Sequence, residues 1–134
     1  MRRVLFVCVH NTGRSQMARA FVARWGGDTI AAESAGTMPS EVVDPVVREV
    51  MEEIGLDNSG NYPRLITQEM VDKADQVITM GCAIDDACPA TFIVSEDWGL
   101  DDPKGKHIDE VRKIRDQIET KVHDLMKRYS LGIS

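Results

Sequence analysis

Six consecutive apolar residues, Val4-Leu5-Phe6-Val7-Cys8-Val9, stand near the start of the chain, and a short polar loop and a helical pattern follow them at once. The run is unbroken rather than alternating, which is how a strand reads when both faces of its sheet are covered, as in a parallel sheet. Parallel strands need crossover connections, and the rest of the chain supplies them. From Ser15, the residues Met17, Ala18, Phe21, Val22 and Trp25 recur at helical spacing until Gly26-Gly27 interrupts them. Residues 29–34 read as a second strand. Asp44-Pro45 is a helix start, with Asp44 as the cap and Pro45 at the first helical position. Val46, Val47, Val50, Met51 and Ile54 then form a stripe that Gly55 closes. Residues 57–64 read as loop, Thr67 caps a short helix reaching Ala74, and residues 76–80 and 91–94 read as strands on either side of a loop over 81–89. Val111, Ile114, Ile118, Val122, Leu125 and Tyr129 mark one long amphipathic helix. The alternation predicts a single doubly wound α/β domain over residues 1–134, with a four-stranded parallel sheet and helices on both faces. Ligands in such folds bind outside the carboxyl ends of the strands, so the loop after the first strand is the expected site.

A formal charge of −6 and a pI near 5.0 speak against nucleic acid or an anionic membrane as partner, so any anion must be attracted locally. No segment approaches the roughly 20 apolar residues of a membrane span. Arg2-Arg3 before the apolar run imitates a secretory leader, but the run is too short and His10-Asn11 ends it without a small-residue cleavage site. The expected location is cytoplasmic. There, the three cysteines point to reactivity or metal binding and not to a disulfide framework.

The loop Cys8-Val9-His10-Asn11-Thr12-Gly13-Arg14, followed by Ser15, joins the buried strand to the first helix. A strand running into a helix can offer loop amides and a helix N-terminus to a tetrahedral oxyanion such as phosphate or arsenate. Gly13 is expected to permit a backbone conformation that other residues resist. Arg14 has a planar fork able to hold two oxygens at once. The same donors would stabilise Cys8 as a thiolate, the nucleophilic form. Ser15 is placed to donate to the sulfur, Asn11 to brace the loop through its amide, and His10 to pack or face solvent. Cys-x5-Arg alone is a weak signal; here it follows a buried strand and opens a helix.

The segment from Val4 through Cys8-Val9-His10-Asn11-Thr12-Gly13-Arg14-Ser15 to Gln16-Met17-Ala18 resembles the phosphate loop of low-molecular-weight protein tyrosine phosphatases and of the arsenate reductases built on that fold. The resemblance extends through Glu33-Ser34-Ala35-Gly36-Thr37, Met80-Gly81-Cys82 and Asp101-Asp102-Pro103. It implies that Cys8 is the nucleophile and that Asp102 protonates the leaving oxygen, with Asp101 as the alternative; such acid catalysis contributes about 10²–10⁴-fold. It further implies that Cys82 attacks Cys8 to release arsenite, that Cys88 carries the disulfide outward, and that thioredoxin or a similar thiol reduces it. No cofactor is implied. Read from the residues alone, Cys82 and Cys88 also fit two packed thiols or half a zinc site, though no histidine lies near them in sequence. A phosphatase acting through a phosphocysteine has no need of either. The phosphatases usually carry Gly at position 10, Cys at position 13 and aromatic residues after the Asp-Pro pair, where this chain has His10, Gly13 and Lys104-Gly105. A third reading, a sensor or phosphoryl carrier using Cys8, has less use for both Arg14 and Asp102.

Overall fold

The computed structural model describes residues 2–11, 13–26, 29–56, 62–80 and 96–130. Strand β1 (Arg2–Cys8) leads into helix α1 (Arg14–Trp25), strand β2 (Ile30–Gly36) and helix α2 (Pro45–Glu52). A short helix α3 (Gln68–Lys73), strands β3 (Gln76–Thr79) and β4 (Glu96–Asp97), and helix α4 (Ile108–Ser130) follow. The four strands lie in the order β2-β1-β3-β4 and every pairing is parallel. The chain therefore steps to one side of β1 first and then to the other. This places a switch in strand order at the carboxyl end of β1, beside the loop that follows Cys8.

Alternate residues of β1 supply two cores. Val4, Phe6 and Cys8 join the cluster made with α1, α2 and α4, which includes Met17, Phe21, Val47, Met51, Ile118 and Leu125. Leu5 and Val7 face the other way, onto Ala35, Ile66 and Val77, with Met70 and Val71 of α3 against them. Helices thus cover both faces, as expected from the unbroken apolar run.

The local signals hold. Asp44 Oδ1 accepts the Val46 N–H at 2.9 Å and Thr67 Oγ1 accepts the Met70 N–H at 3.2 Å, so both expected caps are formed. Gly26 caps α1 and donates its N–H to the Val22 carbonyl. The α4 stripe is buried from Val111 to Leu125, with Tyr129 partly buried.

Several boundaries differ from expectation, and β1 is one of them: it begins at Arg2 and ends at Cys8, leaving Val9 in the loop. β2 runs on to Gly36, because its register keeps it paired with β1 as far as Cys8↔Gly36. α2 ends at Glu52, leaving Ile54 in the closing turn, 38% exposed, outside the stripe. β3 stops at Thr79, one residue early. The fourth strand observed is Glu96–Asp97, while the strand expected over 91–94 and the loop over 81–89 lie outside the described residues. Among the described residues, no helix is long and apolar enough to cross a membrane.

Candidate active site

Cys8 ends β1 and is 3% exposed. Its sulfur is turned into the loop: the Asn11 N–H donates to Sγ at 3.2 Å, and Ser15 Oγ lies 2.9 Å away. The orientation follows from how the loop is pinned. Thr37, Met38 and Ser40 donate their N–H groups to the carbonyls of Cys8, Val9 and His10 at 3.2, 2.8 and 3.1 Å. In a trans peptide the carbonyl and the next N–H point in opposite directions. Fixing those three carbonyls therefore turns the N–H groups of Val9, His10 and Asn11 away from the 37–40 segment. The third of them is the one that reaches the sulfur.

Asn11 is the brace. It is fully buried with φ of 53°, the left-handed region that Asn tolerates better than most residues. Its Oδ1 accepts from Arg64 N–H at 2.9 Å and Gln16 Nε2 at 3.2 Å, so its Nδ2 is the end that donates to Ser15 Oγ at 2.7 Å. Ser15 Oγ, holding that bond, still has its own hydrogen to offer the sulfur. With Cys8 ionised, a thiolate has no hydrogen to give, and Ser15 must be the donor. Gln16, also buried, adds a bond to the Asn11 carbonyl at 3.1 Å.

Arg14 is buried, and its Nη1 donates to the Met80 carbonyl at 2.8 Å and the Leu100 carbonyl at 2.9 Å. Both hydrogens of Nη1 are used. The guanidinium is thereby tied to the ends of β3 and of the segment after β4, leaving its Nη2 side toward Asp102, whose Oδ2 is 4.0 Å away. Cys8, His10, Gly13, Arg14 and Asp102 line one hollow of about 10 Å³, the room of a single water molecule. Asp101 faces a different depression, with Lys106, Glu110 and Lys113. His10 is a loop-packing residue: Nδ1 lies 3.0 Å from the Met38 carbonyl, an acceptor only, so Nδ1 carries the hydrogen.

Gly13 adopts φ of −139° and ψ of −91°, which is not the left-handed region but also lies outside the α and β regions where L residues ordinarily sit. Space is a further reason for a glycine: a methyl group on Gly13 would lie 2.8 Å from Pro103 Cγ. Thr12, Cys82 and Cys88 lie outside the described residues. Gln16, Gly36 and Pro103 all sit inside the quoted motifs, yet residue type and spacing alone give none of them a part. An uncharged amide in the first turn of a buried helix was the available sign for Gln16. Among the described residues, no three His, Cys, Asp or Glu side chains gather as a metal site would require.

The family model for low molecular weight phosphotyrosine protein phosphatases matches residues 3–131. The chain belongs to this family. Within it, the chain is similar to a glutaredoxin arsenate reductase of Synechocystis sp., with 36% identity over 97% of this chain and 100% of that protein. Among solved structures, one of an arsenate reductase in the phosphate binding state is 36% identical, with a TM-score of 0.84 over 96% of this chain and 98% of the other. A thioredoxin-dependent arsenate reductase of Corynebacterium glutamicum is 31% identical, with a TM-score of 0.78 over 98% of this chain and 63% of that one.

Proposed function

We propose that this phosphatase-family chain is an arsenate reductase that works through a Cys8 thiolate and a relay of thiols. The observation that carries the reading is the sulfur of Cys8 held by the Asn11 N–H beside Ser15 Oγ, with Arg14 bordering the same hollow. Val9, His10, Asn11, Thr12, Gly13 and Ser15 form the oxyanion loop. Arg14, anchored through Nη1, offers its Nη2 and Nε edge to two oxygens of the anion. Asp102, with its side chain 54% exposed and Oδ2 4.0 Å from Arg14 Nη2, borders the hollow on its solvent side.

In the first step the Cys8 thiolate attacks arsenic. An S–As bond forms, an As–O bond breaks, and the departing oxygen takes a proton from Asp102 and leaves as water. Cys82 then attacks the Cys8 sulfur as a thiolate. An S–S bond forms, the S–As bond breaks with its electron pair kept by arsenic, and arsenite departs; two thiols have been oxidised and As(V) reduced to As(III). Cys88 displaces Cys8 from Cys82, and the Cys82–Cys88 disulfide is reduced by thioredoxin or another dithiol. The names of the relatives support the oxyanion and the thiol reductant. Reducing cytoplasm suits three working thiols.

With arsenate and a thioredoxin system, Cys8→Ser and Cys82→Ser are each expected to abolish turnover; full turnover by Cys82→Ser would overturn the relay. The family description favours a second reading, a phosphomonoesterase in which water hydrolyses a Cys8 phosphocysteine. Brisk p-nitrophenyl phosphate hydrolysis that survives replacement of both Cys82 and Cys88, without arsenate reduction, would select it.

A further inference from the structure

We propose that Gly13 is a positioning residue for the proton donor: its missing side chain seats Pro103 against the oxyanion loop and so sets where Asp102 stands. The inference rests on the reading of Asp102 as the acid. Pro103 follows Asp102 directly and is buried, whereas Asp102 itself is exposed. A Cβ on Gly13 would meet Pro103 Cγ at 2.8 Å, Pro103 Cδ at 3.6 Å and Val47 Cγ2 at 3.5 Å. The ring of Pro103 therefore lies against Gly13 at the start of α1, and Val47 of α2 borders the same gap. A proline ring cannot bend aside as a long side chain does, and Val47 is fully buried. The displaced group would be the 102–103 backbone. Two further bonds make that backbone a unit. The Lys104 N–H donates to Asp102 Oδ1 at 3.0 Å, and the Lys106 N–H donates to the Pro103 carbonyl at 3.1 Å. Moving Pro103 carries Asp102 with it, away from the place 4.0 Å from Arg14 where its proton can meet the oxygen leaving arsenic. Any replacement other than proline keeps the N–H of residue 13, so phosphate binding is the readout that separates a displaced acid from a damaged loop.

The test is a double-mutant cycle read by single-turnover loss of free thiols on arsenate addition, with inorganic phosphate binding measured alongside. Asp102→Asn is expected to slow the reaction about 10²–10⁴-fold, the usual worth of a general acid. Gly13→Ala is expected to slow it on the order of tenfold, with phosphate affinity within about twofold of wild type. In the Asp102→Asn background the same substitution should cost nothing further. Gly13→Ala/Pro103→Ala should recover most of the rate, because the added methyl takes the room that the ring vacates. Equal losses in both backgrounds, or phosphate affinity falling in step with rate, would mean general damage to the loop and overturn the proposal. An unchanged rate in Gly13→Ala beside a slow Asp102→Asn would overturn it alone, while an unchanged rate in Asp102→Asn would remove the acid reading as well. Should Gly13→Ala not fold, Pro103→Ala alone removes the ring without adding bulk. It should slow the reaction and spare phosphate binding, and an unchanged rate there would again overturn the proposal.

Discussion

Gly36 ends β2 against the loop that carries Cys8, and its lack of a side chain permits the approach. A methyl at this position would lie 2.5 Å from the Val9 carbonyl oxygen and 3.1 Å from both the nitrogen and Cβ of Asn11. The neighbours are backbone and a buried, thrice-bonded side chain, neither able to yield cheaply. Gly36→Ala is expected to cost about 1–3 kcal/mol by urea unfolding, as overpacked sites do. It should also weaken phosphate binding, since Val9 is held by the Met38 N–H at 2.8 Å. Unchanged stability and affinity would contradict this account of the loop. At this scale the sequence was informative about chemistry and poor about proximity. Cys8, Arg14, Ser15 and Asn11 were legible because their residue types and spacing carry the reason for their presence. The closeness of Gly13 to Pro103 was not, because the two are far apart in the chain and no local pattern records which distant group fills a missing side chain.

At the scale of elements, the α2–α4 contact depends on Glu53, the residue just past α2. A carboxylate at a helix C-terminus opposes the helix dipole, and two arginines of α4 offset it. Arg112 reaches Glu53 Oε2 at 2.6 Å, and Arg115 reaches Oε1 at 3.0 Å while also donating to the Val50 carbonyl at 2.9 Å. The hydrogen bond from Arg112, followed by its charge and then by Arg115, holds the Glu53 carboxyl below its ordinary range. A carboxyl whose folded value is depressed contributes stability above its unfolded value of about 4.3, and that contribution disappears as pH falls through the folded value. Glu53→Gln should therefore be less stable than wild type at pH 7, and the difference in urea midpoint should shrink as pH is lowered below about 4. A difference constant from pH 7 to pH 3 would show that these ion pairs contribute nothing. Helix caps and stripes were readable in advance because they are local. β4 was not: Glu96–Asp97 has no apolar pattern, and its place comes from β3 beside it, with Thr79 Oγ1 donating to Asp97 Oδ1 at 2.8 Å and Trp98 N–H to the Thr79 carbonyl at 2.9 Å.

Across the whole molecule, the reversal of strand order at β1 gathers residues far apart in sequence: Cys8 from β1, Arg14 from α1, the Met80 and Leu100 carbonyls from beyond β3 and β4, and Asp102 after them. Alternating strands and helices were enough to anticipate the parallel, two-faced sheet and the switch in strand order beside the loop after Cys8. They did not disclose that Arg14 also ties the ends of β3 and the β4 segment together. With a net charge of −6, the molecule as a whole does not draw in anions; in the proposed function the loop amides and the Arg14 guanidinium supply that attraction locally. The central claim is that the Cys8 sulfur, held by this loop, bonds to the oxyanion and starts the thiol exchange. Its most direct test is mass spectrometry of the protein alkylated at intervals after mixing the reduced form with arsenate and no external thiol. The account predicts that Cys8 and Cys82 first become linked and resistant to alkylation, and that Cys8 then returns to the free pool as Cys82 and Cys88 pair. Cys8 remaining alkylatable throughout, or a disulfide between Cys82 and Cys88 forming equally in Cys8→Ser, would contradict it.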